Sequence, residues 1–318
     1  LGQFKIDSIV AGESVTLVPN EHYYKGVAKV DKVVMEVVSP DNIVSEMKAG
    51  NYDIATMPNA QYEAYKDLTN VTFLSSQESA YEYIGFHLGK YDNAAGKNVT
   101  DPNAKMSDVN LRQAMAYALD VEAAGQNLYN GLQHASNSII IPFFKDVYNK
   151  DQEGFTCNPE KAKQLDEAGY KDVDGDGLRE NKDGSKLKIT FAARTRDEAN
   201  ESLVQQYLNW WKEIGLDVQL YTGRTIELNS FYDKIQADDP EIDVFAAGWS
   251  TGYDPNPEGL FGETAKFNFE RYVDPEGTAI MKKISSTEAF DSAKNIEFYK
   301  EWQKYVHDKA FIFPTLVG

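Results

Sequence analysis

Residues 172–183 read Asp-Val-Asp-Gly-Asp-Gly-Leu-Arg-Glu-Asn-Lys-Asp, a D-x-D-x-D-G pattern with acids again at the ninth and twelfth places. Calcium takes about six to eight oxygens from a tight loop, and glycine at the sixth place permits the turn. On that spacing Asp172, Asp174 and Asp176 would offer carboxylates, Leu178 its backbone carbonyl, and Asp183 the twelfth-place group. The expectation is a structural Ca2+, with no cofactor otherwise required. The pattern departs from the calcium loop in carrying Asp183 where Glu is usual, and in being followed by a strand. The plainer reading is a solvated Asp-Gly turn.

A second stretch has the make-up of a ligand-facing edge. Residues 243–257 read Asp-Val-Phe-Ala-Ala-Gly-Trp-Ser-Thr-Gly-Tyr-Asp-Pro-Asn-Pro. An apolar run of strand length stops at Gly248, and a stiff loop of aromatic and small polar residues follows. Open α/β sheets bind ligands where strands empty into such loops. Trp249 and Tyr253 would supply apolar walls, Ser250 and Thr251 hydrogen bonds, and Asp254 a charge. The plainer reading is an ordinary strand exit.

Other chemistry finds little support. There is no G-x-S-x-G elbow and no phosphate-binding P-loop. His22, His87, His134 and His307 are isolated, without metal-ligand spacing. Cys157 is the one cysteine, so neither an internal disulfide nor a Cys cluster for zinc is available. A glycosidase-like carboxylate pair is disfavoured rather than excluded among 50 acids. Two glycosylation tripeptides, at Asn98 and Asn200, are of a kind that recurs by chance. Net charge is −18, which argues against nucleic acid and anionic membrane as partners. The 19 tyrosines and 4 tryptophans suit a rigid amphipathic contact surface.

The length, 318 residues, predicts about two domains. Strand alternation over 4–10 and 14–18 around Ala11-Gly12-Glu13 predicts a hairpin, and 30–38 a third strand. A short helix over 43–49 closes at Gly50. Strands are expected at 52–55 and 71–74, with a helix at 59–68. Residues 79–88 form an extended segment, followed by a polar loop. Ser107 or Asp108 caps a helix with Leu111, Met115, Ala118 and Leu119 as its stripe. Asp120 starts another, stopped by Asn130-Gly131. A helix at 160–167 follows Pro159. Strand 187–194, helix 196–214, strand 217–220, helix 228–237 and strand 243–248 form β-α-β-α-β, a parallel α/β unit. A long helix at 291–307 leads into a strand at 311–317. No apolar run reaches the ~18 residues of a membrane span.

Several blocks, in order, resemble one family. They include Asn20-Glu21-x-Tyr23-Tyr24-x-Gly26, Met47-Lys48-Ala49-Gly50-Asn51-Tyr52-Asp53-Ile54-Ala55, and Tyr83-Ile84-Gly85-Phe86-His87-Leu88. The most specific is residues 108–120, Asp-Val-Asn-Leu-Arg-Gln-Ala-Met-Ala-Tyr-Ala-Leu-Asp, followed by 158–165 and the Gly-Trp strand with its Tyr253-Asp254-Pro255 loop. Together these are similar to extracytoplasmic solute-binding proteins of the oligopeptide/dipeptide class, which serve ABC importers.

The resemblance implies a two-lobed α/β clamp of the periplasmic-binding-protein type (class II), closing on a peptide and delivering it to an ABC permease in the membrane. It implies a monomer, placed outside the cytoplasm as a surface lipoprotein or in the periplasm, with no enzymatic step. It also implies a partial chain. Residues 1–78 would be the tail half of lobe one, 79–84 the crossing, and 85–318 most of lobe two. The opening Leu1-Gly2-Gln3-Phe4 fits that expectation, so the missing signal peptide is uninformative. Ligand contacts are expected from Tyr81, Tyr83, Gly248, Trp249, Ser250, Thr251, Gly252, Tyr253 and Asp254. Some relatives carry an aspartate where this chain has Gly252, so Asp254 or backbone carbonyls would take the ligand's amine. Two readings compete: the same fold adapted to another solute, such as a nickel chelate, haem or an oligosaccharide, and a calcium-stabilised secreted hydrolase.

Overall fold

A computed structural model describes residues 2–318. The chain divides into two compact units after Thr72. In the first, β1 (Phe4–Val10) and β2 (Ser14–Pro19) form the expected antiparallel hairpin, and β3 (Val33–Glu36) pairs with β2. Helix α1 (Ile43–Ala49) closes at Gly50 and buries Ile43, Val44 and Met47. These pack with Tyr65 of the short α2 (Tyr62–Tyr65). The strands expected at 52–55 and 71–74 do not form. Their apolar residues Tyr52, Ala55 and Val71 pack instead on the α1 cluster. A strand needs a ladder partner for its N–H and C=O groups, whereas side-chain burial alone leaves the backbone irregular.

The second unit begins with β4 (Ala80–Phe86). The segment expected to be a polar loop contains a hairpin, β5 (Gly89–Asp92) with β6 (Lys97–Thr100). Helices α3 (Val109–Tyr117) and α4 (Val121–Tyr129) follow, capped by the carboxylates of Asp108 and Asp120. A two-residue strand β7 (His134–Ala135) precedes a 3-10 turn over Pro159–Lys163 and α5 (Gln164–Ala168). Where one helix was expected, the structure has this 3-10 entry and one short α turn.

Then come β8 (Lys188–Ala193), α6 (Glu198–Glu213), β9 (Asp217–Leu220), α7 (Leu228–Gln236) and β10 (Val244–Ser250). This is the expected β-α-β-α-β run, and β8 pairs parallel with both β9 and β10. Helices α8 (Glu258–Phe261), α9 (Pro275–Ile284) and α10 (Ser292–Lys309) lead to β11 (Ile312–Pro314) and β12 (Leu316–Val317). The sheet order is β11-β4-β10-β8-β9, with β4 antiparallel to both its neighbours. The single strand expected at 311–317 is split at Thr315, whose N–H turns to the Glu82 carbonyl. β12 then pairs with β7.

Parallel strands are covered on both faces, which is why β8 and β10 read as apolar runs. Phe191, Phe245 and Val244 are buried, and Trp211 of α6 meets Phe191 edge-on with ring centres 5.0 Å apart. The residues of the specific 108–120 block have a physical role. Arg112 is 3 % exposed and donates to four backbone carbonyls, of Ala310, Met106, Ser107 and Lys309. It thereby ties the start of α3 to the last carbonyls of α10.

Candidate functional site

The C-terminal ends of β8 and β10 and the first residues of β4 lie side by side. Alternation along the antiparallel β4–β10 pair sets Glu82 opposite Gly248 on one face and Tyr81 opposite Trp249 on the other.

On the Glu82 face, the chain leaving β8 delivers two guanidinium groups. Arg194 Nη2 and Arg196 Nη1 both donate to the Glu82 carboxylate, the latter at 2.7 Å. Arg194 also reaches the Tyr232 hydroxyl at 3.3 Å. That hydroxyl donates to the Gly248 carbonyl at 3.1 Å. Gly248 explains itself here. A Cβ at this position would lie 3.0 Å from both Glu82 carboxylate oxygens, so the apolar run stops because a charged group crosses the strand.

On the other face Trp249 stacks on Phe269, centres 5.4 Å apart and planes 16° from parallel, and meets Phe267 edge-on at 5.8 Å. Phe267 is 51 % exposed. This is an aromatic shelf with an open rim. Beyond it, Gly252 has φ +63, a left-handed conformation that favours glycine. Tyr253 is 92 % exposed, its ring 6.1 Å from that of Phe143.

The structure thus brings Gly248, Trp249, Ser250, Gly252, Tyr253 and Asp254 to one edge, with Ser250, Gly252, Tyr253 and Asp254 all exposed. Three expectations, those for Tyr81, Tyr83 and Thr251, need correction. Tyr81 and Tyr83 are core residues, 3 % and 1 % exposed, because β4 is central and covered on both sides. Burial pushes both phenols upward in pKa, Tyr81 and Tyr83 alike. Thr251 donates both its N–H (2.7 Å) and its hydroxyl (3.0 Å) to the Ser79 carbonyl, so it fastens the loop to the strand entry rather than facing a ligand. Asp254 accepts the Asn256 N–H at 2.9 Å, a turn-forming bond that engages one of its oxygens.

Glu82, Arg194, Arg196, Tyr232, Phe267 and Phe269 escaped the sequence reading. Glycine inside a strand marks close backbone approach, and Gly248 was the one available signal for them.

The acidic loop folds on itself. Asp172 accepts the N–H groups of Gly175 and Gly177, and Asp174, Asp176 and Asp172 converge within 4.8 Å. Asp183 does not join them; its carboxylate accepts the Ser185 N–H and hydroxyl. A side chain one methylene shorter than Glu stays with its own turn. Lys186 sends its ammonium to Asp174 (2.7 Å), Asp176 (2.8 Å) and Glu180 (2.7 Å). These hydrogen bonds hold the Lys186 pKa well above its ordinary value and lower that of Asp176. The three aspartates have the oxygen chemistry that calcium takes, but Lys186 contends for two of them.

Among the described residues no histidine meets a nucleophile. His87 Nδ1 faces the Ile242 carbonyl at 2.9 Å, and His307 stacks on Phe155 with ring centres 4.4 Å apart. Burial raises the Cys157 thiol pKa, which lowers its thiolate fraction.

Residues 1–271 match the family described as bacterial extracellular solute-binding proteins, family 5 Middle. The chain belongs to that family. It is 34 % identical over 319 aligned residues to an oligopeptide-binding protein OppA of Lactococcus lactis, covering 99 % of this chain and 53 % of that protein. An oligopeptide-binding protein AppA of Bacillus subtilis is 25 % identical over 98 % of this chain and 55 % of its own length. Among solved structures, lactococcal OppA complexed with an endogenous peptide in the closed conformation superimposes with a TM-score of 0.96 at 33 % identity, over 99 % of this chain and 59 % of that one. The α/β fold is that of this family, and its members are named as binding proteins. The chain spans about half the length of the curated relatives it matches.

Proposed function

We propose that this chain is part of the extracytoplasmic substrate-binding component of an ABC importer that takes up oligopeptides. The observation that carries the reading is the likeness, over 99 % of this chain and 59 % of the other, to lactococcal OppA, whose solved structure holds a peptide. The sheet edge supports it. It sets an exposed aromatic shelf, Trp249 with Phe267, beside a charged cluster, Glu82 with Arg194 and Arg196. Aromatic faces accept many apolar side chains without directional demands, as a receptor of varied peptides requires. Binding without turnover fits the family, whose members are named as binding proteins. Residues 85–318 are read as most of the second lobe, 79–84 as the crossing and 1–78 as the tail half of the first lobe. The partner is a membrane permease. The full-length protein acts outside the cytoplasm, as a lipoprotein or in the periplasm, and as a monomer. Among the described residues no helix is long and apolar enough to cross a membrane.

The test is calorimetry of the full-length protein with defined penta- to nonapeptides, followed by mass analysis of the recovered peptide. Saturable binding with intact peptide is expected. Trp249→Ala is expected to weaken binding about 10-fold, the loss of one aromatic contact of ~1–1.5 kcal/mol. Absence of binding across the peptide set, or cleavage of the peptide, defeats the assignment.

A further inference from the structure

Phe267 and Phe269, the partners of Trp249 in the aromatic shelf, interleave with polar side chains that are buried. Asn268, Glu270 and Arg271 are 0 %, 1 % and 1 % exposed. Asn268 Nδ2 donates to the Phe261 and Tyr272 carbonyls. Arg271 has a left-handed backbone, φ +57, and its guanidinium donates to Asp238, to Asn98 Oδ1 and to the Lys266 and Gln236 carbonyls. The Glu270 carbonyl accepts the Leu88 N–H at 3.0 Å, which fastens the segment just beyond β4.

The Glu270 carboxyl is the exception in this web. Its Oε1 has no partner among the described residues. It sits over Gly85, where an added Cβ would lie 2.5 Å from Oε1 and 2.6 Å from the Phe245 ring. Glycine at that place in β4 is what makes room for the carboxyl. Arg271 is paired with Asp238 instead. The other ionisable groups around Glu270 are the buried phenols of Tyr81 and Tyr83 on β4, and the Tyr83 hydroxyl is also unpartnered. Tyr232 of α7 and Arg194 act on Tyr83 from beyond it and are hydrogen-bonded to each other. His87, further along β4, faces the Ile242 carbonyl. A carboxylate buried without a paired cation costs far more than the neutral acid. Burial accordingly pushes the Glu270 pKa up to about 8.

We infer that Glu270 is a positioning residue for the ligand: as the neutral acid it keeps Phe267 and Phe269 against Trp249, and as the carboxylate it releases them. Glu270 lies between Phe269 and the left-handed Arg271, so a carboxylate reaches water by the segment swinging outward, and Phe269 moves with it. In the open segment the group regains its ordinary value, 4.5. The closed segment has the raised value, so closure is fully supported below about pH 4.5, weakens about 10-fold per pH unit above it, and weakens no further past about pH 8. The inference rests on the peptide reading above and adds to it a pH dependence of the apolar contact.

The experiment compares the full-length wild type with Glu270→Gln, and with Glu270→Met as a second side chain that does not titrate; thermal melts check folding. Hydrogen exchange is followed by mass spectrometry on fragments spanning Leu88 and Asn268. Dividing the wild-type rate by the variant rate at each pH cancels the base catalysis of exchange. This ratio is expected to rise about 10-fold per pH unit until about pH 8 and then level. Calorimetry with Ala-Leu-Val-Leu-Ala is run over the same range, and the same division cancels titration of the peptide's own ends. Wild type and variant should bind within about 2-fold of each other near pH 6, and wild type about 10-fold more weakly near pH 9, the loss of one aromatic contact. In a Trp249→Ala background Glu270→Gln should leave affinity unchanged at both pH values. Ratios flat with pH overturn the inference and leave the peptide reading standing. So does a rising exchange ratio with a flat affinity ratio, or the full pH effect persisting without Trp249. Absence of binding at every pH in wild type and variants defeats the peptide reading and this inference with it.

Discussion

Replacing Arg112 by Met tests whether the most specific sequence block is structural. The guanidinium donates to the Ala310 and Met106 carbonyls at 3.0 and 2.8 Å in buried surroundings, and to Ser107 and Lys309 at 2.8 and 2.6 Å where burial is partial. Methionine fills much of the volume but donates nothing. The two part-buried carbonyls can turn to water. The two buried ones are left unsatisfied, at about 1–3 kcal/mol each. Releasing a buried charge offsets some of this; burial has already pushed the Arg112 pKa down to about 10, although the group stays protonated at neutral pH. Buried ion pairs can be exchanged for apolar side chains at little cost when both partners change together. Here the acceptors are backbone and stay. A net loss of ~3 kcal/mol is expected, about 6–12 °C in Tm for a unit of this size. All four tryptophans, Trp210, Trp211, Trp249 and Trp302, fall in residues 73–318. Urea unfolding followed by tryptophan fluorescence therefore reports the right unit. Arg112→Lys should fall between, since an ammonium reaches some carbonyls without the planar fork. A Met variant within 1 kcal/mol of wild type, or a Lys variant no better than Met, would refute the reasoning.

Glu270 and the acidic loop give two further expectations. Glu270 is 1 % exposed, with its Oε1 unpartnered among the described residues, and burial pushes its pKa up to about 8. The folded state then holds a proton that the unfolded chain releases near pH 4.5, so stability falls as pH rises from about 4.5 to 8, by up to ~1.4 kcal/mol per unit. Glu270→Gln removes this term. The stability difference between wild type and variant should shift with pH across that window in the variant's favour; a difference flat in pH counts against it. In the acidic loop, the Lys186 ammonium already occupies the oxygens of Asp174 and Asp176 that a cation would use, so millimolar Ca2+ should move the wild-type melting temperature by less than about 1 °C and that of Lys186→Met by several degrees. A strong calcium response in wild type, or none in either, would show that the ammonium does not govern this loop.

What could be read in advance was what is local. The hairpin, α1, α3, β9 and the parallel β-α-β-α-β run are set by alternation, caps and helical spacing within a dozen or so residues. Expected strands at 52–55 and 71–74 failed for lack of a partner, which no local pattern reveals. The β5–β6 hairpin was missed because its residues, Gly89–Asp92 and Lys97–Thr100, are polar and alternate weakly. Burial of Tyr81 and Tyr83 follows from the central place of β4, a property of sheet order rather than of the strand itself. The charged cluster was hidden for the same reason: Glu82 and Arg194 are 112 residues apart.

Gly248 nevertheless carried a trace of that cluster. A strand interior loses stability at glycine and keeps one where something approaches the backbone. Here the approaching group is Glu82, held by two arginines and opposite Gly248 in register. One residue on, Trp249 turns to the other face and its aromatic shelf. The Gly-Trp pair is therefore two successive side-chain positions, one at Glu82 and one at the aromatic shelf, and Tyr232, whose ring lies 5.9 Å from that of Phe269, joins the two. Under the peptide-binding function proposed above, Trp249→Ala tests the aromatic shelf by itself, separately from the Glu82 cluster.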